Sequence, residues 1–292
     1  MSATYFGKGV TVRIKQIGKT AGGQDGAIWG QELFRFDHEG NCIVYNLQDD
    51  FREIGRFTLD KNEILCPHSN AVMFGCEYYE AGDEYPLLYT NIYNNYAKAV
   101  NPMRGVCCVY RLCRTVDGFS TTLVQLIQIG FVEDSRYWRS SDDAEDIRPY
   151  GNFAIDREAE IYYGFTMRDA CRTTRYFSFK MPKLADGVVD EAYGVKKVTL
   201  QVSDVLDYFD CDYHKFIQGA CTHGGKIYSV EGFNDNPNTL AAIRVIDPTQ
   251  KKQLLYKPFT EFGTSVEPEF IDFHGEACIY SDAHGNLYTI EF

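Results

Sequence analysis

Along most of the chain apolar and polar residues alternate in short runs, as in Cys42-Ile-Val-Tyr45, Lys226-Ile-Tyr-Ser229 and Leu287-Tyr-Thr-Ile-Glu-Phe292. These runs are rich in β-branched and aromatic residues, and a period of two marks strands that lay one face on a core. Helical spacing predicts one short element only, over 203–210, with Ser203 as its N-terminal cap. Turn signals such as His38-Glu-Gly-Asn41, Val116-Asp-Gly118 and His284-Gly-Asn286 separate the runs. The pattern is that of an all-β chain.

Aligned on a turn followed by an apolar strand, the runs fall into a repeat. The strands of the first unit cover 25–29, 33–36, 42–45 and 53–58, and those of the second 70–74, 86–89, 106–112 and 122–129. The third unit has 152–155, 160–163, 175–179 and 197–201, and the fourth 218–221, 226–229, 240–246 and 253–256. A fifth unit keeps three strands, at 269–273, 278–281 and 287–292. Its missing strand is supplied by the N-terminal stretch 10–18, which resembles the outer strand of unit two. Lending it to the last unit closes a ring that would otherwise carry free edges. The expectation is one domain, a five-bladed β-propeller of four-stranded antiparallel blades, closed by the N-terminal strand completing the C-terminal blade. The blades fall at about 20–60, 66–131, 148–203, 214–258 and 265–292 plus 8–18. The 292 residues leave about 58 for each blade, above the roughly 40–50 of common propeller repeats. The surplus falls in polar insertions at 91–103, 133–148 and 185–195, where no strand is expected.

Composition narrows the partners. A hydrophobic content of 45% fills a core, and the absence of a long uncharged apolar run excludes a membrane-spanning helix. With 29 Lys and Arg against 41 Asp and Glu the formal charge is −12, which repels phosphate backbones, and no basic stripe offsets it. Nucleic acid and membrane are therefore not expected as partners. The ten cysteines form no Cys-x-x-Cys pair and sit mostly in apolar runs, as buried free thiols do. The N-terminus lacks the charged and apolar regions of a secretion signal, so a cytoplasmic protein is expected unless a leader has been removed. Aromatic residues make up 15% of the chain, and packing between blades absorbs most of them.

In a propeller the first strand of each blade lines a central channel. The aligned heads of these strands are Asp25, Asn70, Asn152, Gln218 and Glu269, all polar at the start of apolar strands. Two residues earlier, on the same strand face, come Gly23, His68, Tyr150, Phe216 and Glu267. Amides and carboxylates in this setting suit sugar hydroxyls or a hard cation, calcium before zinc. No histidine pair has the spacing of a zinc site. The expected ligand-binding set is Asp25, His68, Asn70, Tyr150, Asn152, Gln218, Glu267 and Glu269, around a carbohydrate or similar small polar ligand. Candidate stacking rings are Trp29, Tyr78, Tyr79, Tyr93, Tyr96, Tyr137, Trp138 and Tyr150, with the rings in the insertions favoured.

The last two units carry the most specific text: Phe216-Ile-Gln-Gly219, Gly225-Lys-Ile-Tyr-Ser229, Glu267-Pro-Glu-Phe-Ile-Asp272 and Gly285-Asn-Leu-Tyr288. Over residues 210–292 this resembles the five-bladed propellers grouped with phage receptor-binding platforms and teichoic-acid-biosynthesis-type proteins. The resemblance implies recognition of surface glycans, matches Gln218, Glu267 and Glu269, and transfers no catalytic residues. Two other classes stay open at this level. A glycoside hydrolase needs two carboxyl groups across the scissile bond, and Asp25 with Glu267 or Glu269 is the available pairing, since blades two and three offer only amides. A polysaccharide lyase would use His68 as base with a metal at Gln218 and Glu269. A protein-interaction platform is the third class, and fold alone does not choose among them.

Overall fold

The computed structural model describes residues 10–92, 105–130, 152–168, 171–213, 216–233 and 240–292. Strands are numbered here in chain order. The first, β1 (Arg13–Lys19), stays apart from the blade that follows it. Blade one is β2 (Gly26–Trp29), β3 (Glu32–Phe36), β4 (Asn41–Asn46) and β5 (Arg52–Thr58), each antiparallel to the next. A single helical turn, Asn62–Leu65, leads to blade two, which contains β6 (Val72–Phe74), β7 (Leu88–Ile92), β8 (Val106–Thr115) and β9 (Gly118–Ile129). Blade three opens with β10 (Phe153–Asp156), β11 (Ile161–Arg168) and β12 (Thr173–Lys180).

Here the chain departs from the simple repeat. After β12 it forms a hairpin of β13 (Val188–Asp190) and β14 (Val195–Leu200), and β14 runs parallel to β9 as a fifth strand of blade two, with β13 as its sixth. The strand expected at 197–201 is thus present but belongs to blade two, and the insertion at 185–195 holds a strand. Blade three is completed instead by β15 (Asp207–Asp212), antiparallel to β12. The helix expected over 203–210 is reduced to a 3-10 turn, Val202–Asp204, followed by this strand. Ser203, the expected cap, lies inside this turn, and it is Asp204 that holds the turn's start, its Oδ2 accepting the Gln201 N–H at 2.8 Å. Tyr208 and Phe209 then alternate in a way only a strand can use. Phe209 stacks on Tyr176 with centroids 5.4 Å apart, while the Arg175 guanidinium lies 4.8 Å over the Tyr208 ring.

Blade four is regular: β16 (Ile217–His223), β17 (Lys226–Glu231), β18 (Ala242–Asp247) and β19 (Lys252–Pro258). Blade five is β20 (Pro268–His274), β21 (Ala277–Asp282) and β22 (Asn286–Glu291), with β1 as its outer strand, paired antiparallel from Arg13↔Glu291 to Lys19↔Asn286. The N-terminal strand therefore closes the ring as expected. The inner strands touch in the order β2, β6, β10, β16, β20 and back to β2. This is a five-bladed propeller.

The same turn chemistry recurs in two blades. Asp37-His-Glu-Gly-Asn41 joins β3 to β4 and Asp282-Ala-His-Gly-Asn286 joins β21 to β22. In each, one aspartate oxygen accepts the backbone N–H groups two and four residues on, and the other accepts the asparagine side-chain amide. The glycines, Gly40 at φ 79° and Gly285 at φ 80°, take the left-handed conformation that lets the chain reverse.

Aromatic rings fill the spaces between blades. Phe34 packs edge-on against Phe57, Phe74, Tyr85 and Phe119, joining blades one and two. A smaller cluster of Ile28, Leu33, Tyr45, Phe270, Ile279 and Leu287 joins blades one and five. All ten cysteines are free thiols, and Cys42, Cys107, Cys108, Cys221 and Cys278 are buried among these layers. Burial pushes the Cys108 thiol up to about 12. Among the described residues no helix is long and apolar enough to cross a membrane.

Candidate functional site

The inner strand of a propeller blade has one edge in its sheet and one edge towards the axis, so some backbone N–H groups lack a sheet partner. Side chains from neighbouring blades supply acceptors. Asp25 Oδ2 in blade one accepts the Val72 N–H of blade two at 2.9 Å. Asp272 Oδ2 in blade five accepts the Ile28 N–H of blade one at 2.7 Å. Between blades three and four the stitch uses backbone carbonyls: the Asn152 side-chain amide donates to the Ile217 carbonyl, and the Thr222 hydroxyl to that of Ile155 at 2.6 Å.

The polar heads of the inner strands are consequently buried. Relative exposure is 0% at Asp25, 3% at Asn70, 9% at Asn152, 8% at Gln218 and 4% at Glu269, so they are not solvent-facing strand ends. Two residues earlier the chain is more open: Gly23, His68, Phe216 and Glu267 are half-buried. The period-two reading thus separates a closed inner ring from a partly open mouth above it. Tyr150 belongs to the expected set but lies outside the described residues, as do Tyr93, Tyr96, Tyr137 and Trp138.

Asp25, Gln218, Glu267 and Glu269 come together where blades one, four and five meet. The Gln218 Nε2 donates to Glu267 Oε1 and, at 3.0 Å, to the Gly232 carbonyl. Gly219 makes room for this convergence, since a Cβ there would lie 3.0 Å from Asp25 Oδ1 and 2.9 Å from the Glu269 carbonyl oxygen. Burial pushes the Asp25 carboxyl well above the usual carboxylate range. Glu269 is pushed the same way, by burial first and then by the like charge of Glu267. One oxygen of each, Asp25 Oδ1 and Glu269 Oε2, has no hydrogen-bond partner among the described residues, and Asn152 Oδ1 shares that condition.

The remaining expected residues are placed differently. Asn70 accepts from the Asn91 side-chain amide of its own blade at 2.7 Å, and the Ala71 N–H donates to Asn91 Oδ1 at 3.2 Å. Asn91 is therefore a buried member of the ring that the repeat alignment did not flag. His68 faces His38 of blade one with ring centroids 6.4 Å apart. Trp29 ends β2, and Tyr78 and Tyr79 follow β6, so these three rings sit at the far ends of the inner strands, away from the mouth. Trp29 lies 5.6 Å from Phe74 and Tyr79 lies under the Arg111 guanidinium at 4.7 Å, which are packing roles.

Sequence reading also missed Arg35. It is 3% exposed, and burial pulls its pKa below the usual arginine value, opposed chiefly by Asp25 and Glu269. A buried arginine beside the two carboxyl groups opposes a divalent cation there. Among the described residues no three His, Cys, Asp or Glu side chains group in a way that could hold a metal ion.

No protein family matches the chain, and no curated protein does. Solved structures do match. A glutaminyl cyclase from Myxococcus xanthus has a TM-score of 0.51 at 9% identity, with 96% of this chain and 94% of that one covered. Hydrazine synthase from Kuenenia stuttgartiensis has a TM-score of 0.43 at 9% identity, over 88% of this chain and 60% of that one. The first likeness spans the whole ring and shows the propeller fold. Neither likeness shows a link to phage platforms or teichoic-acid proteins, which rests on the sequence resemblance alone.

Proposed function

We propose that the protein binds a carbohydrate or other small polyol at the mouth where the inner strands begin. The observation that supports this is the layering of the ring. Glu267, Phe216 and His68 are half-buried at the mouth, and in the layer of strand heads next to it lie buried carboxyl and amide oxygens, on Asp25, Asn152 and Glu269, with no hydrogen-bond donor among the described residues. Polar groups left in that state cost free energy unless water or a ligand pairs with them. Carboxyl groups held in the neutral form donate as well as accept, which suits hydroxyl groups that do the same. Phe216 contributes an apolar surface, backed by the Phe233 ring at 4.9 Å and held at a φ of 59°. A bulky residue kept in that left-handed conformation stores strain of the kind found at ligand clamps.

A second reading has one specific observation in its favour. Glu269 is pushed towards its neutral form while Glu267 stands two residues away, and two carboxyl groups with divided roles are what glycoside cleavage requires. The cyclisation chemistry of the Myxococcus xanthus neighbour is not part of either reading.

One panel of plant and bacterial glycans tests both. Binding is expected to fall at least tenfold in Glu267→Gln and in Gln218→Ala, the residues that share a hydrogen bond at the mouth. Undiminished binding in both variants would remove the channel assignment. Reducing ends released by the unaltered protein, and lost in Glu269→Gln, would select cleavage over binding.

A further inference from the structure

The far end of the channel carries a second polar cluster, at the opposite ends of the inner strands from the mouth. Trp29 ends β2, His223 ends β16, Asp272 lies near the end of β20, and Arg157 follows β10. The four come from blades one, four, five and three. The turns beside them are short: β2 joins β3 through Gly30-Gln31, β16 joins β17 through Gly224-Gly225, and β20 joins β21 through Gly275-Glu276. A Cβ on Gly30, Gly224 or Gly275 would meet nothing within 4 Å. So low a rim leaves the cluster open, with Arg157 exposed and Trp29, His223 and Asp272 half-buried.

Contacts tie the four together. Asp272 Oδ2 accepts the Ile28 N–H at 2.7 Å, which sets it beside Trp29, and Oδ1 accepts the Phe273 N–H at 2.8 Å. The Phe273 ring lies flat on that of His223, with centroids 4.0 Å and planes 5° apart. Besides packing on Phe74 at 5.6 Å, Trp29 carries the Arg157 guanidinium 5.3 Å from its ring centroid. Blades one and three are not adjacent in the ring, so this arginine reaches across the axis. Burial raises the Asp272 carboxyl, opposed first by its two backbone donors and then by the charges of Arg157 and His223. Arg157 nevertheless makes no ion pair or hydrogen bond among the described residues, and His223 meets Glu276 at 3.4 Å. Asp156, next to Arg157 in sequence, is engaged in its own turn by the Glu158 and Ala159 N–H groups.

We infer that the far end of the channel binds a small zwitterion, an aromatic α-amino acid, with its carboxylate on Arg157, its ammonium group on Asp272 and its ring against Trp29 and the His223–Phe273 pair. Opposite charges that act on one another without pairing leave a gap, and a molecule carrying both charges fills it. A plain anion is repelled there by Asp272, and a plain cation by Arg157 and His223. The guanidinium fork takes a carboxylate through two parallel bonds. Each Asp272 oxygen accepts one backbone N–H and keeps lone-pair capacity for another donor. The indole face suits both a ring and an ammonium group. This site lies at the other end of the ring from the mouth and does not depend on a polyol binding there.

L-Phenylalanine is the probe, with hydrocinnamate, which lacks the ammonium group, and phenethylamine, which lacks the carboxylate, as controls. Saturation transfer from the protein to the ring protons of L-phenylalanine is expected, with each control binding about tenfold more weakly by titration calorimetry. Arg157 is exposed, so Arg157→Gln keeps the fold. It should weaken L-phenylalanine about tenfold and leave phenethylamine no weaker. Asp272→Asn retains an oxygen for the Ile28 N–H and should weaken L-phenylalanine and phenethylamine alike. No transfer to L-phenylalanine in the unaltered protein overturns the site, as does equal affinity in the unaltered protein and Arg157→Gln. Equal binding by either control overturns the choice of a zwitterion. A loss in Glu267→Gln as large as that in Arg157→Gln places the ligand at the mouth and overturns the far-end assignment.

Discussion

Asp25 shows how one side chain serves both the ring and the site. Its Oδ2 holds the Val72 N–H of the next blade, while Oδ1 stays without a donor near the axis. The aligned polar heads were legible in the sequence because each interrupts an apolar strand. Their stitching role was not, because it depends on which neighbouring backbone has a free N–H. Arg35 was illegible for a related reason: in Leu33-Phe-Arg-Phe36 a lone arginine reads as the solvent side of an alternating strand, and only the packing of that face against Phe270 buries it. The carboxyl shifts fix a pH dependence. Asp25 and Glu269 bind their protons more tightly in the folded chain than in the unfolded one, so their contribution is fully present at acidic pH. It is lost as pH rises from the ordinary carboxylate range through their raised folded values. Asp25→Asn keeps an oxygen for Val72 and cannot ionise, so urea unfolding between pH 4 and pH 8 should show a shallower loss of stability than in the unaltered protein. Asp25→Ala should cost about 3 kcal/mol at acidic pH, from an unsatisfied buried N–H and a small cavity, and less as pH rises, because alanine lacks the titration. Identical pH slopes for the aspartate and asparagine forms would show that Asp25 does not titrate as described.

At the scale of elements the repeat was read correctly wherever consecutive strands enter the same blade, and it failed where they do not. The outer edge of β9 adjoins residues as buried as Leu126 and Ile127, and such an edge needs cover. The chain provides it with β14, fixed in parallel register from Lys196↔Gln125 to Leu200↔Ile129 and continued by the Gly130 N–H donating to the Leu200 carbonyl at 2.8 Å. That detour removes 195–200 from blade three and obliges 207–212 to become its outer strand. Ser203 as a cap suggested a helix, but the apolar and charged contacts of Tyr208, Phe209 and Asp210 decide for a strand. Asp210 is the charged part of that decision. It accepts from Arg175 Nε at 2.7 Å and Nη2 at 2.8 Å and from Arg168 Nη1 at 3.3 Å, and both arginines are buried. Asp210 is itself partly exposed while the two guanidiniums it holds are buried, so Asp210→Ala should lower unfolding stability by about 2 kcal/mol, between the exposed and the buried case. A loss below roughly 0.5 kcal/mol, the scale of an exposed pair, would mean that β15 is held by its rings alone.

Over the whole molecule the ring depends on a join between the two ends of the chain. β1 and β22 pair along their length, and Ile14 and Tyr288 pack into the large apolar cluster shared by the other blades. This closure was legible because a unit with three strands and an unassigned strand elsewhere have only one economical solution. It also sets the mouth: the connection from β1 to β2 passes Thr20, whose N–H donates to the Gly285 carbonyl at 2.8 Å, before reaching Gly23 and Asp25. Without β1, the edge of β22 has no partner and the β20–β2 contact loses its outer support. A chain beginning at Thr20 is therefore expected to lose its single cooperative unfolding transition and to self-associate through the β22 edge, as read by light scattering and near-ultraviolet circular dichroism. A synthetic peptide of residues 10–19 supplied in excess should reverse the self-association and restore the transition, because it offers the same ladder from outside. If the shortened chain scatters no more than the unaltered protein and unfolds at the original temperature, the ring is closed by blade packing and the N-terminal strand only covers its seam.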